Sequence, residues 1–185
     1  MIHSTRRRTA SGVGLLSLML VAALAGCSEP AAPTELSDPC PLITDQMRQR
    51  LAPGAELVPE ENTGGVSGSK QCTIDLQSGS STMRGDLLLA VSVDGTGMYD
   101  EKWRSDQCAK IESTPTTDGP GDHSCVKVKP WADGEARIDG SAWVGDDYEV
   151  RVGYQLVEPR ELPAGAEKDM RDLLEAAVNA LPTES

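Results

Sequence analysis

A Ser-His-Asp hydrolase needs a histidine held between a hydroxyl and a carboxylate. Beyond its first 26 residues this chain has a single histidine, His123, in a Gly/Pro-rich stretch that predicts a solvated loop position. The Gly-x-Ser-x-Gly elbow is missing, since the order around Ser67 is Gly-Val-Ser-Gly-Ser. Ser67-Gly68-Ser69-Lys70 matches the Ser-x-x-Lys of penicillin-binding enzymes, and Ser105-Asp106-Gln107 echoes their second motif. Their Lys-Thr-Gly motif is missing, and the serine lies in a Gly/Ser loop rather than opening a helix. Asp146-Asp147 with Glu149, and Asp118 with Asp122, fall at turns and do not follow the calcium-loop spacing. Solvated turns are the expected reading of both. From these residues no catalytic set, metal site or cofactor is expected.

The five cysteines divide by context. Leu24-Ala25-Gly26-Cys27 follows a basic start, Arg6 to Arg8, and an apolar run from Val13 to Ala25 broken only by Gly14 and Ser17. That order is a signal peptide ending in a lipobox. Residues 1–26 would be removed, and the Cys27 thiol would take a diacylglyceryl group as the lipid-attachment residue. The apolar run is too short to cross about 30 Å of hydrocarbon as a permanent helix. Two or more acyl chains anchor a protein stably where one does not. The three arginines raise the twin-arginine route, but no Phe-Leu pair follows them, so general secretion is favoured. The expected location is the outer face of the cytoplasmic membrane, with the lipid on Cys27 as the membrane contact.

Four cysteines remain: Cys40, Cys72, Cys108 and Cys125. An even number in an exported chain argues for two disulfides, and three connectivities exist. Cys40–Cys72 with Cys108–Cys125 is favoured, because each closes a moderate loop between neighbouring elements. Paired short spacings of the Cys-x-x-Cys kind, which a zinc site needs, do not occur.

Composition limits the partners. Without residues 1–26 the chain carries 14 basic and 29 acidic side chains, a net charge of −15. Such a surface repels phosphate backbones, so nucleic acid is not an expected partner. It also lacks the basic patch that holds anionic lipid headgroups. There is no Phe, so the core must rest on Leu, Val, Ile, Ala and Met.

Residues 27–38 read as an acidic, Pro-containing tether, and residues 39–185 as a single α+β extracytoplasmic domain. Asp38-Pro39-Cys40-Pro41 turns into a helix capped by Thr44, with Ile43, Met47 and Leu51 on one stripe. Residues 60–69 are a flexible loop, and 72–76 a short strand. Residues 87–93 are a nearly continuous apolar run, predicted as a central strand buried on both faces. Residues 96–111 are read as a helix with Tyr99 and Trp103 at i, i+4, and 113–122 as a loop. Residues 124–128 are a strand closed by Pro130. Residues 135–144 and 148–157 form a hairpin, whose second arm alternates Tyr148, Val150, Val152, Tyr154 and Leu156 with polar residues. A last helix, about 164–180, carries Ala166, Met170, Leu173, Leu174, Ala177 and Leu181 on one stripe. The expected fold is α+β: an antiparallel sheet of about five strands, two or three helices packed on one face, and two disulfides. Core or edge packing is favoured over a ligand groove for Trp103, Trp131 and Trp143.

The lipobox, the small acidic tether and the opening Asp38-Pro39-Cys40-Pro41-Leu42-Ile43-Thr44 together resemble a family of actinobacterial cell-envelope lipoproteins known only as a domain of unknown function. Cys72, Cys108 and Cys125 agree with the likeness, whereas Cys72-Thr73-Ile74 lacks the aromatic residue that resemblance would place after the cysteine. It implies an envelope lipoprotein with a small α+β domain and carries no catalytic residues. A fainter similarity is to disulfide-bonded sensor domains of actinobacterial receptor kinases. The leading expectation is a non-enzymatic binding or accessory component of the cell envelope, its ligand on the exposed sheet face or on loops 60–70 and 113–123. The rivals are an envelope-directed hydrolase with a carboxylate- or Ser-based site, and a ligand-sensing domain.

Overall fold

The computed structural model describes residues 36–56, 68–94 and 96–182. Cys27, the leader, most of the tether and most of loop 60–69 lie outside the described residues. The order of elements is a 3-10 turn at Cys40–Leu42, α1 at Asp45–Leu51, β1 at Ser69–Asp75 and β2 at Arg84–Val93. Then come α2 at Glu101–Lys110, β3 at His123–Ala132, β4 at Glu135–Val144, β5 at Tyr148–Glu158 and α3 at Ala166–Asn179. All strand pairs are antiparallel, in the order β1-β2-β5-β4-β3. The segment carrying α2 leads from β2 to the far edge, and the meander β3-β4-β5 returns to β2.

Side chains along a strand alternate between faces, so the pairing assigns each residue to one. Cys72 and Ile74 of β1 share a face with Leu87, Leu89, Val91 and Val93 of β2, and with Val150, Val152, Tyr154 and Leu156 of β5. Ala136, Ile138 and Ala142 of β4 continue it. These residues are buried under the apolar stripe of α3, with Ala166, Met170, Leu173, Leu174 and Ala177 all inside. Burying one large aliphatic side chain contributes about 1.5–3 kcal/mol, so this layer dominates stability. Leu36 is also buried in this core, so packing begins inside the segment expected to be tether.

Local chemistry sets the element ends. Asp38 Oδ1 accepts from the Cys40 N–H at 2.9 Å, and Thr44 Oγ1 accepts from the Met47 N–H at 3.2 Å as N-cap of α1. Asp45 in the first turn and Arg48 and Arg50 in the last oppose the helix dipole. Arg50 joins α1 to α3 through bonds of 2.8 and 2.5 Å to the buried Asp169, and this partner holds the guanidinium above its usual pKa. Tyr154 donates to the Leu51 carbonyl at 2.6 Å, tying β5 to α1. Cys40–Cys72 links the 3-10 turn to β1, and Cys108–Cys125 links α2 to β3.

The fold has the five antiparallel strands, the helices and the two disulfides expected, with α1 and α3 on one face. The third helix, α2, lies on the other face, where Cys108 meets Cys125 and Trp143. Four local expectations are corrected. β2 is not buried on both faces; Leu87, Leu89, Val91 and Val93 are buried, while Leu88, Ala90 and Ser92 between them are partly exposed. α2 begins at Glu101, because the Asp100 carboxylate caps it by accepting from the Trp103 N–H at 2.7 Å, which leaves Tyr99 outside the helix. β3 runs through Pro130 to Ala132, a position a proline tolerates on an edge strand, with a register shift between Lys129 and Ala132. His123 opens β3 opposite Trp143 and is half-buried, not a free loop residue.

Candidate functional site

The second sheet face carries the residues between those of the core. Reading across the register, its upper rung is Ser69, Ser92, Glu149, Trp143 and His123. The next rung holds Gln71, Ala90, Arg151, Ser141 and Cys125. Below it lie Thr73, Leu88, Gly153, Asp139 and Lys127, then Asp75, Asp86, Gln155, Arg137 and Lys129. The upper rung is covered by the segment Tyr99–Ile111, whose Tyr99, Trp103 and Cys108 pack on Trp143 and Cys125 as a second, small apolar cluster. The lower rungs are half-exposed or exposed apart from Cys125.

Backbone bonds place the covering segment. Asp94 N–H donates to the Asp147 carbonyl and Tyr99 N–H to the Asp146 carbonyl, which holds both residues at the β4–β5 tip. Arg104 then donates to the Tyr99 carbonyl and to Asp146 Oδ1, both at 2.8 Å. Asp122 Oδ2 accepts from the Gly145 N–H, and Thr116 bridges Ser124, which binds loop 113–122 to the same end. Of the acidic turn residues, Asp122 thus serves as a backbone acceptor and Asp146 as an arginine acceptor. Among the described residues no group of three or more His, Cys, Asp or Glu side chains is placed to hold a metal ion. Ser67 lies outside the described residues, while Lys70 belongs to β1 rather than to a loop. Ser105 and Asp106 lie on α2, and Asp106 is paired with Lys102.

The open rungs are polar and mostly self-paired. Arg137 lies 2.6 Å from Asp139 and 3.6 Å from Glu135, and the Asp139 bond holds its guanidinium above the usual value. The Gln155 amide donates to Glu135. Arg151 bonds Glu149 at 2.6 Å. Lys129 bonds Glu112 at 2.9 Å, which pulls that carboxyl below its ordinary range. Asp86 differs from these. It faces Asp75 directly across β1–β2. Burial pushes its carboxyl pKa up against the pull of Arg137, helped by Asp139, Glu135 and Asp75. Chemically this is a sheet surface offering donors and acceptors of both signs, with one carboxyl whose pKa is pushed up.

The three tryptophans do not meet in one groove. Trp143 is fully buried, Trp103 is half-buried beside Tyr99, and Trp131 packs on the main core with the Arg160 guanidinium 5.2 Å from its ring centre. Away from the open face, an apolar cavity of about 140 Å³ lies between Leu36, Leu42 and Val91 and the end of α3 at Ala177 and Leu181. Sequence alternation places Glu149 among outward residues, and it does point away from the main core. The lid of Tyr99 over it comes from residues 50 positions away, for which strand periodicity holds no signal. No helix among the described residues is long and apolar enough to cross a membrane. No protein-family model, curated protein or solved structure matches the chain.

Proposed function

We propose that this chain is an exported lipoprotein, anchored through lipid on Cys27 to the outer face of the cytoplasmic membrane, whose domain binds a component of the cell envelope without turning it over. The observation that carries the binding assignment is the open sheet face, where Arg137, Asp139, Arg151 and Lys127 stand partly exposed on a backbone held rigid by four strand pairings. Nine residue steps separate Cys27 from Leu36, so the anchor keeps the domain within about 30 Å of the bilayer. On the same reading the chain belongs with the actinobacterial envelope lipoproteins it resembles. Supporting that, the polar positions of the shared opening have physical roles: Asp38 accepts from the Cys40 N–H, Thr44 caps α1, and Cys40 bridges.

Two measurements test the reading. Cys27→Ala should move the exported protein from membranes to the medium; retention on membranes defeats the anchor. A soluble domain beginning at Ser28 and carrying Lys127→Ala and Arg137→Ala should lose at least about tenfold in retention on isolated envelope material with its melting point unchanged, the worth of about 1.4 kcal/mol of binding. Equal retention defeats the face.

A second reading has one observation in its favour. The raised pKa of Asp86, with Asp139 and Glu135 nearby, is what a general acid requires. As an envelope hydrolase the domain would release product from envelope polysaccharide, and Asp86→Asn would abolish that release.

A further inference from the structure

Three buried side-chain polar atoms have no hydrogen-bond partner among the described residues: Trp103 Nε1, Trp143 Nε1 and Glu149 Oε1. All three belong to the covered end of the second face. Trp143 and Glu149 stand directly opposite each other on β4 and β5, and Trp103 packs on the cluster around Trp143. Glu149 is 2% exposed. Its Oε2 takes the bond from Arg151, which leaves Oε1 unpaired. In the main core, by contrast, the buried Asp169 is doubly bonded by Arg50, and the Tyr154 hydroxyl is bonded to Leu51. Among the described residues the orphan polar groups are not spread out; they belong to one small cluster and its neighbour Glu149.

The chemistry of the orphans defines what pairs them. Two are donors and one is an acceptor, so the missing group must both accept and donate. The Glu149 charge is already met by Arg151, so a cation has no electrostatic reason to be there. A hydroxyl satisfies both needs at the smallest size. Trp143 and Tyr99 are 0% and 4% exposed, so the group must be small enough to be enclosed. α2 covers this end of the sheet. Cys108 is its one buried residue, and the helix is held by the Cys108–Cys125 bridge at one end and by the Arg104 contacts at the other.

We infer that the space between α2 and the upper rung of the sheet is a hydroxyl-binding site, donating from the Trp143 and Trp103 indoles and accepting at Glu149 Oε1. The occupant is a water molecule or the hydroxyl of a small polyol. This inference stands independently of what the open face binds.

The test is NMR of the three indole N–H signals, assigned with Trp103→Phe and Trp131→Phe. In the wild-type domain the Trp143 Nε1–H should show a cross-peak to a long-lived water. If glycerol, titrated in, shifts this signal saturably and removes the water cross-peak, the site admits a polyol. If glycerol leaves it unchanged, the occupant is water. The proposal is overturned if the wild-type protein shows neither a water cross-peak nor a glycerol shift. Glu149→Met removes the acceptor and should abolish the cross-peak in a folded spectrum; full intensity in that variant also overturns it. Should Glu149→Met fail to fold, Glu149→Gln keeps the shape, and the wild-type measurement decides alone.

Discussion

Under α1 and α3, Leu87, Leu89, Val91 and Val93 of β2 are buried beside Val150, Val152, Tyr154 and Leu156 of β5. One residue along each strand, Leu88, Ala90 and Ser92 face the other way beside Glu149, Arg151 and Gly153. The same backbone thus carries two surfaces held by different forces. The first is a continuous apolar layer whose few polar atoms are paired. The second is a field of ion pairs with a single small apolar cluster at one end, fastened by Cys108–Cys125 and still containing unpaired polar atoms. Stability therefore resides mainly on the first face, and the second depends on its bridge and its small apolar cluster.

Breaking the first face should cost most. Leu174→Ala removes a fully buried side chain of α3 and should lose about 3–5 kcal/mol in urea denaturation. Leu88→Ala on the opposite face should lose less than about 1 kcal/mol. Equal losses would erase the distinction between the faces.

Next in size is the fastening of the second face. Cys108→Ser with Cys125→Ser opens a loop of 17 residues and should lose about 3 kcal/mol, with Trp103 fluorescence shifting toward that of an exposed indole. An unchanged spectrum would mean that the Arg104 contacts and the aromatic cluster hold α2 by themselves.

Tyr154→Phe sharpens the claim that polar atoms of the first face are paired. It strands the Leu51 carbonyl and should cost about 1–3 kcal/mol. Burial pushes the Tyr154 phenol far up, so the donor stays protonated and the loss should be the same at pH 6 and pH 9.

The smallest effect tests the second face by pH. An acid whose pKa is higher folded than unfolded subtracts stability as pH rises from the ordinary Asp range, about 3.9, through the raised value. Below that range it subtracts nothing. Asp86→Asn should therefore stabilise the domain at pH 7, by under about 1 kcal/mol in the range of opposed like charges, and leave it unchanged near pH 2. A gain of the same size at both pH values would mean that its charge is not the cause.

Much of the first face was legible in the sequence, because burial on one side writes a period into the chain. Ala166, Met170, Leu173, Leu174 and Ala177 repeat at helical spacing, and Val150, Val152, Tyr154 and Leu156 at strand spacing. The β4–β5 hairpin and α3 follow from those periods almost residue for residue. β2 misled for a related reason. Leu87, Leu88, Leu89 and Ala90 form an unbroken apolar run, which composition reads as burial on both sides, although Leu88 and Ala90 stay partly exposed. β3 was read as too short because Pro130 signals a strand end, and only the edge position of β3 removes that objection.

The candidate sites were less legible. The rung that sets Asp86 beside Gln155 and Arg137 joins residues far apart in the chain, and it depends on β5 returning to lie between β2 and β4. Glu149 and Trp143 pair within one hairpin, but the segment that covers them, Tyr99 to Cys108, comes from far along the chain. What the sequence determined by itself is local: the cap at Thr44, the stripe of α3 and the alternation of β5. Each depends on a side chain meeting its own or neighbouring backbone, or on a period of a few residues. What only the tertiary structure decided is which strands are neighbours, which face α2 covers, and hence which polar groups are left in water and which are enclosed. Those outcomes are settled by which apolar stripe covers which face, an energy shared across the whole sheet that no short stretch of the chain can express.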